Sequence, residues 1–269
     1  MNDFKILVDE MKIRGFSRRT IAGYCYTNSK FLQFINKSPR DVTKNDIESY
    51  LVYLYDGNKS SATRHLVCAA LKFYYEGVLK RKFDLKYPKK SSKLPIVLSK
   101  DDILKMIDSI ENPKHKLLLE MMYGSGLRVG EAIKVKIEDF DINQKVLHVK
   151  DGKGSKDRIV NLSNRFICDF IKFVDGKSLG YLFESAQRIG NHISSRTAQM
   201  IVKHALGKTK IQKKAHPHTL RTSYATHLIE SGIDISYVQK LLGHSKISTT
   251  QTYLRLSKES IRNIKSPLD

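Results

Sequence analysis

The sequence predicts a mainly α fold with a small antiparallel β-sheet, divided into two units by a basic linker. Three observations carry this. Apolar residues recur at helical spacing behind capping side chains through residues 1–84. A stretch rich in proline and lysine then breaks the pattern. Beyond it, one pair of alternating runs flanks a glycine-rich turn before helices resume.

The elements follow in order. A first helix covers about residues 3–13. Ser17 stands as an N-cap, and Ile21, Tyr24, Cys25, Phe31, Leu32 and Ile35 recur with helical period behind it. Thr43 followed by Asp46 is a capping-box-like start, with Ile47, Tyr50, Leu51 and Leu54 as the apolar stripe. Ser60-Ser61 opens a fourth helix in which Leu66, Ala69, Ala70 and Phe73 face one way. Arg14, Arg18, Arg19, Lys59 and Arg64 sit at loops and helix starts, where they can meet a phosphate backbone.

Residues 85–97 read as a linker, because the run from Lys86 to Pro95 holds two prolines, two serines and four lysines and little apolar surface to bury. Its lysines, Lys89 and Lys90 among them, suit a segment that follows a groove of DNA; a plain tether is the alternative. From residue 98 onward Ser99 with Asp102 caps a helix, and Pro113 stands at the first position of the next. That helix ends at Gly124-Ser-Gly126, and another starts near Arg128 and stops before Val135. Residues 145–150 and 157–162 alternate like strands around the turn Asp151-Gly-Lys-Gly-Ser-Lys156. Helices follow at about 164–174, 195–206, 218–231, 235–242 and 248–256.

Composition bounds the function. Lys and Arg number 48 against 27 Asp and Glu, a net charge of +21 at pH 7. A polyphosphate partner is the natural reading, since each phosphate neutralised releases condensed counterions; a highly charged solvated surface is the alternative. The apolar content of 41% supports real cores and excludes global disorder. No stretch approaches the ~20 apolar residues that span a bilayer, and no charged-then-apolar leader opens the chain, so a membrane or exported protein is not expected. Cys25, Cys68 and Cys168 are odd in number and far apart, which suits a reducing cytoplasm better than a disulfide framework or a clustered metal site.

Three stretches are polar where a plain core helix would be apolar. In Gly124-Ser-Gly-Leu-Arg128-Val-Gly-Glu131 an arginine follows two glycines at a helix start, beside unpaired backbone N–H groups; it reads either as an anion site or as a surface arginine paired with Glu131 at i+3. His218 and Arg221, three apart, project from one helical face, a titratable imidazole beside a fixed cation. His216, His218 and His227 raise a zinc site as a rival, but no acidic or thiol ligand joins them at a usual spacing. In the third stretch Gly243 closes a helix, His244 follows, and Tyr253 lies nine positions later on the next helix. Tyrosines on helices are ordinarily core or rim residues, and only the company of His244 sets this one apart.

Taken together these stretches resemble the tyrosine recombinase, or phage-integrase-like, family. Gly126-Leu-Arg128-Val-Gly-Glu131 resembles its first-arginine box, His218-Thr-Leu-Arg221 its H-x-x-R box, and Leu242-Gly-His244 with Thr249-Thr-Gln-Thr-Tyr253 its H…Y box. Lys153 in the hairpin is similar to the family's β-turn lysine, with Lys156 as its rival. Gly130, Ala132 and Thr222 depart from the commoner residues of these boxes. The resemblance covers roughly the whole chain and is nearest to Xer-type members, bacterial or archaeal.

The resemblance implies a two-domain C-clamp on DNA: an N-terminal helical core-binding (SAM-like) domain over 1–84 and a catalytic domain with its C-terminal tail over 98–269. It implies strand cleavage and rejoining through a 3′-phosphotyrosyl bond, with no metal, ATP or other cofactor. Tyr253 is then the nucleophile, Arg128 and Arg221 the phosphate clamps, Lys153 the general acid, His218 the proton acceptor or relay, and His244 a further donor. Glu131 orients Arg128 or His218. Arg18, Arg19, Lys59, Arg64, Lys89, Lys90 and Lys156 become candidate DNA contacts. The partner is a double-stranded recombination site, two of which are held by a homotetramer assembled from monomers or dimers, on the nucleoid in the cytoplasm. Residues 257–269, with Ile261 and Ile264 at helical spacing, suit a trans contact with a neighbouring subunit or a frayed tail. Chromosome or plasmid dimer resolution is the expected role. Integration and excision of a mobile element, a type IB topoisomerase, and an architectural DNA-binding protein without catalysis are the alternatives.

Overall fold

The computed structural model describes residues 4–89, 95–150 and 157–254. The chain divides into two compact units, residues 1–93 and 94–269. The first is built from α1 (Lys5–Ile13), α2 (Arg18–Ile35), α3 (Lys44–Asp56) and α4 (Ser61–Lys72). Local chemistry starts each of the last three. Ser17 Oγ accepts the Thr20 amide at 3.2 Å, and Ser60 Oγ the Thr63 amide at 3.1 Å. Thr43 and Asp46 close a capping box, with bonds of 3.3 and 2.8 Å in the two directions. Leu7, Met11, Phe31, Ile47 and Leu71 are buried between the helices.

The periodicity misses one feature here. After Lys72 the helix widens into a π-helical stretch, Phe73–Val78. The smaller angular step of a wider helix keeps three consecutive rings on the core side. Phe73 packs on Phe16 and Tyr24, Tyr74 on Phe4, and Tyr75 on Phe31. The chain after it stays on this unit. Leu85 is buried, its amide donates to Glu76 at 3.1 Å, and Tyr87 stacks on His65 with centroids 4.6 Å apart. The first residues of the expected linker are thus part of the N-terminal core.

Near the start of the second unit Leu98 is fully buried, and its amide donates to Ser223 Oγ at 3.0 Å. Then come α5 (Lys100–Asp108), α6 (Pro113–Gly124) and α7 (Val129–Ala132). β1 (Phe140–Asp141), β2 (Val146–Val149) and β3 (Arg158–Asn161) form an antiparallel sheet in that order, with Val146 opposite Asn161 and Val149 opposite Arg158. Leu147, Val149 and Val160 point into the core, as the alternation predicts. After α8 (Asn164–Val174) comes a second small sheet, the hairpin of β4 (Glu184–Ser185) and β5 (Arg188–His192). The sequence suggests only one sheet, because Arg188–Asn191 is exposed on both faces and offers no apolar alternation to read.

The unit closes with α9 (Ser195–Gly207), α10 (Pro217–Glu230), α11 (Ile235–Leu242) and α12 (Ile247–Leu254). α10 is its axis and is buried on every side from Thr219 to Thr226. It packs on α6 and α9 and, beyond them, on α11 and α12. A helix so enclosed cannot show a single apolar stripe, and Ser223 on it is satisfied locally, its Oγ donating to the Thr219 carbonyl at 2.9 Å. Tyr253 on α12 joins a small cluster with Tyr224, Ala225, Ile229, Val238 and Leu242.

Candidate active site

A cleft of about 1070 Å³ opens in the second unit, between the start of α7, the start of β3, α10 and the α11–α12 turn. Arg128, His218, Arg221, His244 and Tyr253 all line it. Residues from widely separated parts of the chain, singled out in the sequence, thus meet in one place. Lys153 and Lys156 lie outside the described residues.

Arg221 is the most enclosed of these groups, 2% exposed. From the second turn of α10 its Nη1 donates to the Gly126 carbonyl at 2.7 Å, and its Nη2 to the Leu242 carbonyl at 2.5 Å and to His244 Nε2 at 3.1 Å. Gly126 makes the first bond available. Its φ of +60° turns the carbonyl toward the guanidinium, and a Cβ there would stand 2.3 Å from the Tyr224 ring. Burial, then the neighbouring Arg128, lowers the Arg221 pKa to about 10, so it stays charged at neutral pH.

Arg128 occupies the N-cap of α7, which is a single turn. The sequence leaves open an anion site on bare helix N–H groups or a pair with Glu131. The structure has the second: Glu131 accepts the Arg128 amide at 2.9 Å and its Nη1 at 2.6 Å. Arg128 Nη2 also reaches the Gly243 carbonyl at 3.3 Å. Burial alone would raise the Glu131 pKa. The hydrogen bonds and charge of Arg158, with those of Arg128, overcome it and bring the carboxyl down to about 2.

The α11–α12 turn supplies the rest. Gly243, at φ +61°, closes α11, and His244 follows. His244 Nδ1 lies 3.0 Å from Thr250 Oγ1, and Gln239 Nε2 donates to the His244 carbonyl at 2.9 Å. With Arg221 donating to Nε2, the imidazole is neutral with its proton on Nδ1. Burial and then the charges of Arg221 and Arg128 agree, lowering its pKa to about 4. The His244 ring stacks on Tyr253 at 6.1 Å between centroids. Tyr253 is 4% exposed. Burial raises its pKa against the opposing pull of Arg221 and of a hydrogen bond from Thr222. His218 stands at the cleft mouth, its pKa lowered by the surrounding protein and then by Arg221. His227 turns away to Tyr123, 2.8 Å distant, so it does not join His216 and His218.

With this geometry in view, the likeness to known proteins is specific. Residues 97–260 match the phage integrase family, and residues 4–85 the N-terminal SAM-like domain of phage integrases. The chain belongs to the phage integrase family. It is a tyrosine-type site-specific DNA recombinase. The tyrosine recombinase XerA of Pyrococcus horikoshii is 36% identical over 94% of this chain and 88% of its own length. The putative integrase/recombinase y4qK of Sinorhizobium fredii is 33% identical over 97% and 86%. A crystal structure of XerA recombinase is matched at TM-score 0.57 and 29% identity, covering 97% of this chain and 96% of that one. A lambda integrase dimer bound to a COC′ core site shares the fold at TM-score 0.76 and 20% identity, covering 98% and 97%.

For this recombinase the sequence reading misses Arg158, Thr250 and Gln239. Each acts through a partner brought near by the fold, and no local pattern marks them. Of the candidate DNA contacts, Arg18, Arg19, Lys59 and Lys89 are exposed, whereas Arg64 is half-buried with its guanidinium 4.7 Å above the Tyr55 ring. Lys90, like the tail at 257–269, lies outside the described residues.

Proposed function

We propose that this recombinase cuts and rejoins DNA through a 3′-phosphotyrosyl bond to Tyr253. One observation carries the reading: the Tyr253 ring and the guanidiniums of Arg128 and Arg221 share one cleft. Attack on a phosphodiester requires a positioned nucleophile and a means of absorbing the charge of the pentacoordinate state. Arg128 and Arg221 hold the non-bridging oxygens, a task suited to a planar cation that remains charged. The Tyr253 oxygen attacks phosphorus as the bond to the 5′ oxygen breaks. Burial raises the phenol pKa, so a base is needed. His218, whose own pKa is lowered, is neutral at pH 7 and takes the proton. Lys153 protonates the departing 5′ oxygen. The phosphotyrosyl bond retains the phosphodiester's energy, so a 5′-hydroxyl from the partner duplex reverses the step without ATP.

Glu131 keeps Arg128 in place from behind. His244 donates to a phosphoryl oxygen once Arg221 Nη2 turns from its Nε2 to the phosphate and the imidazole proton moves to Nε2, a tautomer the Thr250 hydroxyl supports by donating to Nδ1 instead of accepting from it. Residues 1–84 bind the duplex through Arg18, Arg19, Lys59 and Arg64, with Lys89, Lys90 and Lys156 adding phosphate contacts. Four copies act on two sites, on the nucleoid of the cytoplasm. Within the family we favour resolution of chromosome or plasmid dimers, which the similarity to XerA along nearly the whole chain supports. Integration of a mobile element is the competing role.

A nicked suicide substrate carrying the recombinase's own site tests the chemistry. The unaltered chain is expected to form an SDS-stable protein–DNA adduct and Tyr253→Phe none. An adduct persisting in that variant overturns the nucleophile; no adduct on any substrate favours a binding-only protein; relaxation of supercoils without site preference favours a topoisomerase. A plasmid dimer with one site per monomer should be converted to monomer circles, and preferential joining of two unlike sites on separate molecules would reverse the preferred role.

A further inference from the structure

The cleft holds a third arginine to which none of the steps above gives a part. Arg158 opens β3, and its side chain is only 8% exposed. Its Nη1 and Nη2 donate to the two oxygens of Glu131 at 3.1 and 2.7 Å, and its Nε donates to the Leu241 carbonyl at 2.8 Å. The stem runs beside Gly243, where a Cβ would stand 3.1 Å from Arg158 Cδ. The same carboxylate carries Arg128, and Arg128 in turn reaches the Gly243 carbonyl. Glu131 is 3.8 Å from Arg221 as well. One buried carboxylate is thus the hub of three guanidiniums; the Arg158 guanidinium grips both of its oxygens, whereas Arg128 reaches one through Nη1 and the other through its amide.

We propose that Arg158 is a positioning residue for strand cleavage: by clamping Glu131 and the end of α11 together, it fixes Arg128 and the turn bearing His244 in the geometry that receives the phosphate. Two physical consequences support this. A carboxylate held by a fork cannot rotate, so the Arg128 guanidinium bound to it is fixed before substrate arrives. Charge balance points the same way. Three guanidiniums and one carboxylate leave two net positive charges at the phosphate. Without Arg158 one remains, and the Glu131 charge falls on Arg128 and Arg221 alone. Arg158 spends three of its five N–H donors on these contacts, so its part is to hold other groups and not to grip DNA.

The inference rests on the proposed roles of Arg128 and Tyr253, and the test separates the two. Single-turnover adduct formation is measured on the nicked suicide substrate, alongside affinity for the same DNA. Arg158→Gln is expected to slow adduct formation on the order of 100-fold, the penalty for a small misplacement of a reacting group, with affinity unchanged within about threefold. In a Glu131→Gln background the same change should cost about threefold or less, since residues acting through one route are not additive. Arg158→Lys restores the charge without the fork. It is expected to fold and still to react about tenfold slower, and it decides the matter if the Gln variant does not fold. A normal rate in Arg158→Lys, or the full Arg158→Gln penalty persisting in the Glu131→Gln background, overturns the proposal. If Tyr253→Phe or Arg128→Ala still forms adduct, the roles beneath the inference fail instead.

Discussion

In the first unit Arg18, Arg19 and Lys59 stand exposed in solvent, whereas in the second unit Arg221 and Arg158 are enclosed and each makes three hydrogen bonds to carbonyls, an imidazole or a carboxylate. An exposed lysine or arginine loses little hydration and attracts any polyanion, so its geometry is loosely constrained. A buried guanidinium is stable only if its hydrogen bonds are supplied, and that supply also fixes its position in advance of the reaction. The contrast separates charge used for attraction from charge used for chemistry. Substitutions in the two regions should therefore differ in kind.

The largest difference is expected at Arg221. In Arg221→Lys a single ammonium cannot reach the Gly126 and Leu242 carbonyls and His244 together, nor present a planar pair of donors to a phosphate. Single-turnover adduct formation should fall about 10³-fold, the scale for losing a pre-placed donor to a developing oxyanion. DNA affinity measured by filter binding should change far less. A comparable drop in affinity would erase the distinction drawn between the two regions.

Glycines sharpen the same comparison through stability. Gly126→Ala forces a methyl group to within 2.3 Å of the Tyr224 ring at a φ of +60°, and should cost about 3 kcal/mol in urea unfolding. Gly23, inside α2 of the first unit, meets nothing within 4 Å of an added Cβ. Gly23→Ala should stabilise by about 0.5–1 kcal/mol, from helix propensity alone.

Titration supplies a further contrast. His244 has a folded pKa of about 4, below the 6.5 of an unconstrained imidazole. Above pH 6.5 neither state binds the proton and the residue contributes nothing. As pH falls from 6.5 to 4 the unfolded chain takes up a proton that the folded one refuses, so stability declines through that window. His218 shifts in the same direction. Glu131, lowered to about 2, retains its contribution above 4.5 and loses it only as pH falls toward 2. Thermal melts should thus drop by several degrees from about pH 7 to about pH 5. His244→Gln should remove part of that drop, and an unchanged drop would place the titration elsewhere.

What could be read from the sequence follows the range of the interactions. Ser17, Thr43 with Asp46, and Ser99 with Asp102 act on amides within a few residues, Pro113 fixes its own φ at the first helical position, and each helix start they predict is present. The cleft residues were legible because each lies in a short polar stretch with fixed internal spacing. Arg158 was not. In Arg158-Ile-Val-Asn161 it reads as the polar end of a strand, and its meaning lies with Glu131, 27 positions earlier, and Leu241, 83 later. Thr250 looks like one more threonine in a polar run until His244 is seen 3.0 Å away. The Phe73–Val78 widening was hidden for a related reason: three adjacent aromatics continue a helical pattern, and their packing partners, Phe16, Tyr24, Phe4 and Phe31, lie far from them in sequence.

The smallest individual effects belong to the first unit's surface. Each of Arg18→Ala, Arg19→Ala and Lys59→Ala frees at most one phosphate, so the slope of log affinity against log salt should shallow by roughly 0.9 for each phosphate no longer neutralised. Combined, the three should shallow it nearly additively, because exposed cations share no buried partner. The weakening should be alike on specific and random duplex, since phosphates carry no sequence. Arg64→Ala tests the boundary between the two regions. Its guanidinium lies over Tyr55 and is half-buried, so the change should lower stability as well as affinity, by about 0.5–1 kcal/mol for the cation–π interaction. If Arg64→Ala shifts only the salt slope, the ring's proximity is incidental, and the arginine belongs wholly with the attracting charges.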